Sequence, residues 1–184
     1  AEYGMGAGIN IRANSSTLSL SPTLSNLNFQ TNYARLGGGG IAISSSSAAY
    51  TIVGLDTSST TRSVASPIIS LCTFDNNKSG NNGGAILIRA LSGLSQPTIS
   101  ECSIKSNTAT LSGGGMYISG GCNGICEPSI TLSSFCSAIY VHGTDAAGTC
   151  SGISGSTDVD ITSCTVLSSV VNNAQLGSTN IDVI

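Results

Sequence analysis

The sequence predicts an all-β solenoid, and three observations support that prediction. The chain of 184 residues has 23 glycines, but only 4% of its residues are aromatic and 8% are charged. This composition is poor in the side chains that helices and ordinary mixed α/β cores use. Four prolines mark successive copies of one repeat. Each copy contains short alternating apolar segments, which are typical of strands, and none contains the apolar stripe of a helix.

The repeat begins at Pro22, Pro67, Pro97 and Pro128, and a fifth copy is recovered with Val159 at the proline position. An apolar residue follows two positions later, and a second one follows seven positions later. The second column is the predicted core ladder, which consists of Phe29, Phe74, Ile104, Phe135 and Val166. Because a coil can bury its inward side chains only against the coils above and below, this register predicts a stack of about five coils.

A polar turn, a glycine pair and a second short strand complete each copy. The turn carries a column of asparagines, in which we expect a left-handed backbone and hydrogen bonds to neighbouring backbone groups. This predicted turn ladder consists of Asn32, Asn77 and Asn107. The glycines permit the sharp corner that leads into the second strand. That strand is predicted at Ile41 and Ile43, Ile86 and Ile88, Met116 and Ile118, Ile139 and Val141 in the shortened fourth copy, and Ile181 and Val183 in the fifth.

The two ends of the chain are predicted to present the same kind of strand. The stacking residues are Ile9, Ile11, Ile181 and Val183. No amphipathic capping helix is recognisable, so we expect residues 1–184 to form one β-helix domain without caps. An uncapped strand is a template for another strand, and a head-to-tail contact that does not close on itself generates a filament. The alternative is that the sequence is one stretch of a longer protein whose caps lie elsewhere.

One copy of the repeat resembles a known family. The motif Phe74-Asp75-Asn76-Asn77, followed by Gly83-Gly84-Ala85-Ile86, is similar to the Phe-x-x-Asn and Gly-Gly-Ala-Ile repeat of the chlamydial polymorphic outer membrane proteins and related surface adhesins. Residues 29–32 with 38–41 are a close variant. Ile104 replaces the phenylalanine in the third copy, and the last two copies lose the asparagine or the glycine pair. The resemblance implies a single-stranded right-handed parallel β-helix of the pectin-lyase-like type at a cell surface, with an adhesive or structural role.

The same fold also hosts polysaccharide lyases and hydrolases. Such enzymes need carboxylates that project from successive coils into one groove. The column beside the core ladder contains Gln30, Asp75 and Lys105 and does not place one acid next to another. Asp158 and Asp160 share one face of a strand, but we expect no third acid on the neighbouring coil. We therefore predict no catalytic residue, no metal site and no cofactor.

The seven cysteines favour an oxidising compartment and hence an extracellular, cell-surface location. Cys72, Cys102 and Cys164 share a core column and are expected to be packed thiols, with a bridge between adjacent coils as the alternative. Four loop cysteines are candidates for disulfides, with a zinc site as the alternative. They are Cys122, Cys126, Cys136 and Cys150. Asn14 begins a sequon in a predicted loop and is the candidate N-glycan acceptor.

The sequence predicts a non-enzymatic extracellular structural or adhesive module that stacks head to tail into a surface filament. A polysaccharide-active lyase or hydrolase is one alternative. A glycan-binding or ice-binding module is the other, because stacked hydroxyls repeat at strand spacing. The hydroxyl column consists of Ser25, Ser70, Ser100, Thr131 and Thr162. With a net charge of −3 and no apolar run long enough to span a bilayer, we expect copies of itself, glycans or host-surface ligands as partners, but neither nucleic acid nor membrane insertion.

Overall fold

The computed structural model describes residues 4–15, 18–46, 62–91, 93–120, 125–126, 128–131, 134–135, 139–142, 156–162, 165–166, 170–173 and 178–183. The regular structure of these residues is β-strand. The strands are numbered in chain order. The first group is β1 (Ile9–Ala13), β2 (Ser19–Leu20), β3 (Thr23–Ser25), β4 (Asn28–Gln30), β5 (Tyr33–Ala34) and β6 (Ile41–Ser45). The second group is β7 (Val64–Ala65), β8 (Ile68–Ser70), β9 (Thr73–Asp75), β10 (Lys78–Ser79) and β11 (Ile86–Ala90).

Later copies supply the remaining strands. The third group is β12 (Leu94–Ser95), β13 (Thr98–Ser100), β14 (Ser103–Lys105), β15 (Thr108–Ala109) and β16 (Met116–Gly120). The fourth group is β17 (Ile125–Cys126), β18 (Ser129–Thr131), β19 (Ser134–Phe135) and β20 (Ile139–His142). The last group is β21 (Ser156–Thr162), β22 (Thr165–Val166), β23 (Val170–Asn173) and β24 (Ser178–Val183).

Equivalent strands of successive copies pair in parallel, and together they form four sheets. Sheet 1 has six strands in the order β1-β6-β11-β16-β20-β23. Sheet 2 has ten strands, in which β21 joins the β2-β7-β12-β17 ladder to the β18-β13-β8-β3 ladder and also pairs with β24. Sheet 3 is β22-β19-β14-β9-β4, and sheet 4 is β15-β10-β5. This is the arrangement of a right-handed parallel β-helix, so the predicted fold class is confirmed.

The core lies between the sheets and consists of columns of similar side chains. In sheet 1, Ile41 aligns with Ile86, which aligns with Met116. All three are fully buried. In sheet 3, Phe29 aligns with Phe74, and their rings stack with centroids 4.8 Å apart and an interplanar angle of 6°. The ring separation equals the strand spacing of a sheet, so the backbone ladder itself brings the rings into contact.

Glycines occupy the corner that leads into sheet 1. Gly38, Gly83 and Gly113 have φ angles of 65°, 65° and 67°, in the left-handed region that side chains with a Cβ rarely adopt. The next position is also restricted, because a Cβ on Gly84 would collide with the carbonyl oxygens of Thr108 and Gly114 in the neighbouring coil. The glycine pair therefore combines a backbone requirement with a packing requirement.

The end of the chain differs from the prediction. Strand β24 pairs with β21 in sheet 2, where Ile181 aligns with Val159 and Val183 aligns with Ile161. The prediction that Ile181 and Val183 close the sheet that Ile9 and Ile11 open is therefore wrong.

The last strand of sheet 1 is β23, in which Val170 aligns with Ile139. The spacing explains this register, because Val170 follows Val166 by four residues, just as Ile139 follows Phe135. The fifth copy thus repeats the shortened pattern of the fourth.

We expect Phe74→Ala to lower the free energy of unfolding by about 3 to 5 kcal/mol, because it opens a cavity between two coils. Phe74 is fully buried, whereas Ile68 on the preceding strand is 46% exposed. Ile68→Ala should therefore cost less than about 1 kcal/mol. Denaturant titration followed by far-ultraviolet circular dichroism measures both variants, and equal losses would contradict the assignment of Phe74 to the core.

Candidate functional site: polar ladders and the open first coil

The predicted turn asparagines form a continuous hydrogen-bonded ladder along the stack. The Oδ1 atom of Asn77 accepts from the backbone N–H of Asn32 at 3.1 Å and from its Nδ2 at 2.9 Å. The Oδ1 atom of Asn107 accepts in the same way from Asn77, at 2.8 and 3.0 Å. Each Nδ2 also reaches back one coil, where Asn77 donates to the carbonyl of Phe29 at 2.9 Å and Asn107 donates to that of Phe74 at 3.0 Å.

The ladder asparagines do not have the left-handed backbone that the sequence analysis expected for them. The residue before each asparagine has it instead, with φ angles of 55° at Thr31, 54° at Asn76 and 56° at Ser106. The bend at this neighbouring residue leaves the asparagine N–H free to donate to the next Oδ1. The left-handed residue of this corner therefore lies one position earlier than predicted.

A second corner of the same kind was not predicted. It lies between sheets 2 and 3, and its left-handed residues are Asn26, Leu71 and Glu101, with φ angles of 55°, 54° and 52°. The only sequence signal is position, because each of these residues directly follows the hydroxyl column. Leucine and glutamate carry no preference for this conformation, so residue type could not have revealed the corner.

The hydroxyl column is in register. Ser25 aligns with Ser70, which aligns with Ser100, and the column continues through Thr131 to Thr162. The Ser70 hydroxyl donates to the Ser25 hydroxyl at 3.2 Å. Part of the hydrogen-bonding capacity of these hydroxyl groups is therefore satisfied within the protein itself.

The charged residues include one ion pair that agrees with the sequence expectation and one pair of aligned acids that does not. In the column beside the core ladder, Asp75 forms an ion pair with Lys105 at 3.7 Å, across two adjacent coils. The expectation that no acid lies beside Asp160 is wrong, because the register of β21 and β24 places Asp182 opposite it. This difference also follows from the pairing of β24 with β21 in sheet 2, where the sequence had predicted a strand of sheet 1. Among the described residues there is no group of three or more metal-ligating side chains.

Two cysteines of the predicted core column are buried thiols. Cys72 and Cys102 are 1% and 2% exposed, and each donates to the carbonyl oxygen two residues earlier at 3.2 Å. Burial raises the pKa of the Cys102 thiol to about 11. Both thiols therefore act as small core side chains, and Cys164 lies outside the described residues.

Cys126 differs from the expectation of a loop disulfide. It ends strand β17, its side chain is fully buried, and its thiol donates to the carbonyl of Ser119 at 3.0 Å. Strand pairing turns this residue inward, which the sequence spacing did not reveal. The other candidates, Cys122, Cys136 and Cys150, lie outside the described residues.

The chain contains two sequons, at Asn14-Ser15-Ser16 and Asn77-Lys78-Ser79, and their environments differ. Asn14 is exposed and directly follows β1, so an enzyme that transfers a glycan can reach its amide. Asn77 is fully buried in the ladder. Asn14 therefore remains the candidate acceptor.

Among the described residues, the first coil leaves one end of the core partly uncovered. Four inward residues at this end are only partly buried, although they pack on the core cluster; they are Ile9, Leu18, Leu20 and Leu24. Their partners one coil further, such as Ile41 and Ile69, are fully buried. In the described chain the Oδ1 atom of Asn32 accepts no hydrogen bond, whereas Asn77 and Asn107 each accept two. The first coil therefore presents both apolar surface and ladder groups without partners.

We expect Asn77→Ala to lower the free energy of unfolding by about 2 to 4 kcal/mol, because it leaves buried partners on two coils without hydrogen bonds. Asn77→Asp should be similarly destabilising, since a carboxylate cannot donate to the carbonyl of Phe29 or to Asn107. Asn28→Ala is the control, because Asn28 is exposed on β4. Thermal unfolding measures all three, and a stable Asn77→Asp variant would contradict the donor role.

Comparison with known proteins links one coil to a family. No curated protein and no solved structure matches the chain. Within the described residues, the structure has no helix that is long and apolar enough to cross a membrane. One family model does match, and its segment contains Phe74, Asn77 and the Gly83-Gly84 corner. Residues 71–89 match the Chlamydia polymorphic membrane protein repeat, which confirms the resemblance that these residues predicted.

Proposed function

We propose that the chain is a non-enzymatic structural or adhesive module at an extracellular cell surface, and that copies of it stack end to end. The match of residues 71–89 to the polymorphic membrane protein repeat supports the surface location. The open core of the first coil carries the stacking proposal. Hydrophobic surface that is regular and flanked by unpaired strand edges is a template for further strands.

The geometry of sheet 1 favours a head-to-tail contact. Strands β1 and β23 lie at opposite ends of this sheet, and every pairing within it is parallel. If β23 of one copy pairs with β1 of the next, strand direction and sheet continuity are both preserved. Such a contact is heterologous and does not close on itself, so it generates a fibre.

An enzymatic role is the second candidate, and the alignment of Asp160 with Asp182 on adjacent strands is the observation that favours it. Asp75 is the acid in the column beside the core ladder, and its carboxylate pairs with Lys105. A polysaccharide lyase or hydrolase needs carboxylates that act together on one substrate. The first coil instead offers an unfilled packing surface, which suits assembly.

We expect negative-stain electron microscopy of the concentrated chain to reveal unbranched fibres. Their axial repeat should be roughly 24 to 29 Å if five or six coils stack at the usual strand spacing of about 4.8 Å. Ile9→Lys should abolish the fibres, because it places a charge on the apolar edge of β1 where the next copy docks.

Asn10→Lys is the matched control, since Asn10 lies on the same strand but is exposed and faces away from the core. It should form fibres like the unmodified chain. Circular dichroism establishes that both variants are folded. A monomeric unmodified chain at all concentrations, or fibres that persist in Ile9→Lys, would exclude stacking through this edge.

A further inference from the structure

The uncovered apolar surface of the first coil is concentrated at one edge of sheet 2. Strands β2 and β3 form this edge, because no other strand of the described chain lies beyond them. Leu20 and Leu24 on these strands, and Leu18 just before β2, pack on the core but are only partly buried. By contrast, Phe29 in sheet 3 is 6% exposed, and an added Cβ on Gly8 would lie 2.8 Å from its Cδ1 atom. The backbone at Gly8 therefore already covers sheet 3, whereas sheet 2 lacks a cover.

The backbone of the same edge also lacks a strand partner. One coil further, the N–H groups of Ser66 and Ile68 donate to carbonyl groups of the preceding coil at 2.8 and 3.0 Å. The equivalent N–H groups at the edge belong to Ser21 and Thr23, as the register shows. They donate in the same direction, and there the described residues supply no strand. The edge therefore presents backbone donors together with apolar side chains.

The opposite end of the stack carries a projecting strand in this sheet. The fifth coil contains β21, β22 and β23, which are the last strands of sheets 2, 3 and 1 at that height. Sheet 2 alone continues for one more strand, β24. At the first coil the arrangement is reversed, because β1 projects one strand beyond β6 in sheet 1 while sheet 2 begins with β2 and β3. The two ends are therefore complementary steps.

We propose that β24 of one copy pairs with the edge formed by β2 and β3 of the next copy, so that two chains share one coil. This inference rests on the proposed end-to-end stacking and specifies the joint. When β23 of one copy pairs with β1 of the next, β24 and β1 lie at the same height. One chain then supplies sheet 2 of the shared coil and the other chain supplies sheet 1. Addition of a strand to an open edge is a common mode of protein recognition.

The register of sheet 2 determines which residues meet in the shared coil. Through the aligned strands, Val183 belongs to the same column as Leu24. Thr179 belongs to the same column as Leu20. An apolar residue therefore stands over Leu24, and the N–H groups of the edge donate to carbonyl groups of β24. The joint continues the parallel pairing that is present throughout the sheet.

The test introduces two cysteines into the complete chain, Thr23→Cys and Asp182→Cys. These positions share one column, so the joint brings them onto adjacent strands of two copies. Their Cα atoms lie about 4.8 Å apart there, a distance that a disulfide spans. Oxidation of the assembled double variant by dioxygen should produce a ladder of covalent multimers on denaturing gels, which a reductant removes. Mass spectrometry of the digested multimers should identify a link between positions 23 and 182.

Thr23→Cys with Asp160→Cys is the matched control. Asp160 lies in the same column but on β21, one strand further from the joint, so the Cα atoms are about 9.6 Å apart and out of reach. This variant should give no ladder, and neither should each single variant, which retains the native cysteines. Circular dichroism establishes that all variants are folded.

The outcomes separate the shared coil from stacking itself. Fibres of the Thr23→Cys, Asp182→Cys variant without the link between positions 23 and 182 would overturn the shared coil and leave end-to-end stacking in place. A ladder in the control with Asp160→Cys would likewise overturn the proposed register. A chain that forms no fibres at any concentration would exclude both proposals.

Discussion

Each inward side chain of the described coils lies against the equivalent side chains of the coils above and below it. The backbone ladder sets that vertical distance at one strand spacing, so every column must contain residues that can lie against their own kind. Flat stacking of Phe29 on Phe74 and the fully buried isoleucines of sheet 1 are consequences of this constraint. The asparagine ladder obeys the same rule with hydrogen bonds in place of apolar contact. The alignment of equivalent residues on successive coils, rather than any single contact, therefore stabilises the fold.

The sequence predicts most of this register because proline, an apolar core residue, asparagine and glycine recur at fixed intervals in the first three copies. Prediction fails where the interval changes. In the fifth copy Ile181 and Val183 fit the alternating apolar pattern of a second strand, whereas Val170 is followed two positions later by Asn172 and is identified by its spacing and its pairing partner. Residue type is also uninformative at the left-handed corners, where Leu71 and Glu101 adopt a conformation that the geometry of the coil imposes.

The outer surface was less predictable than the core. Columns visible in the sequence, such as the hydroxyls of sheet 2, extend along the stack, whereas a depression on the outer face of sheet 1 is lined by residues of four successive turns. Leu36, Asn82 and Tyr117 share no position in the repeat, so their proximity follows only from the coil geometry.

The asparagine ladder has a direction. Each coil offers donors to the Oδ1 atom of the coil that follows, and it offers its own Oδ1 to the coil before it. The upper face of any laddered coil therefore fits the lower face of any other, whichever copy of the repeat supplies it. A gene that gains or loses one whole repeat by unequal recombination would encode a longer or shorter stack with the same joints. Such a change would alter the length of the stack and would leave the core of each coil unchanged.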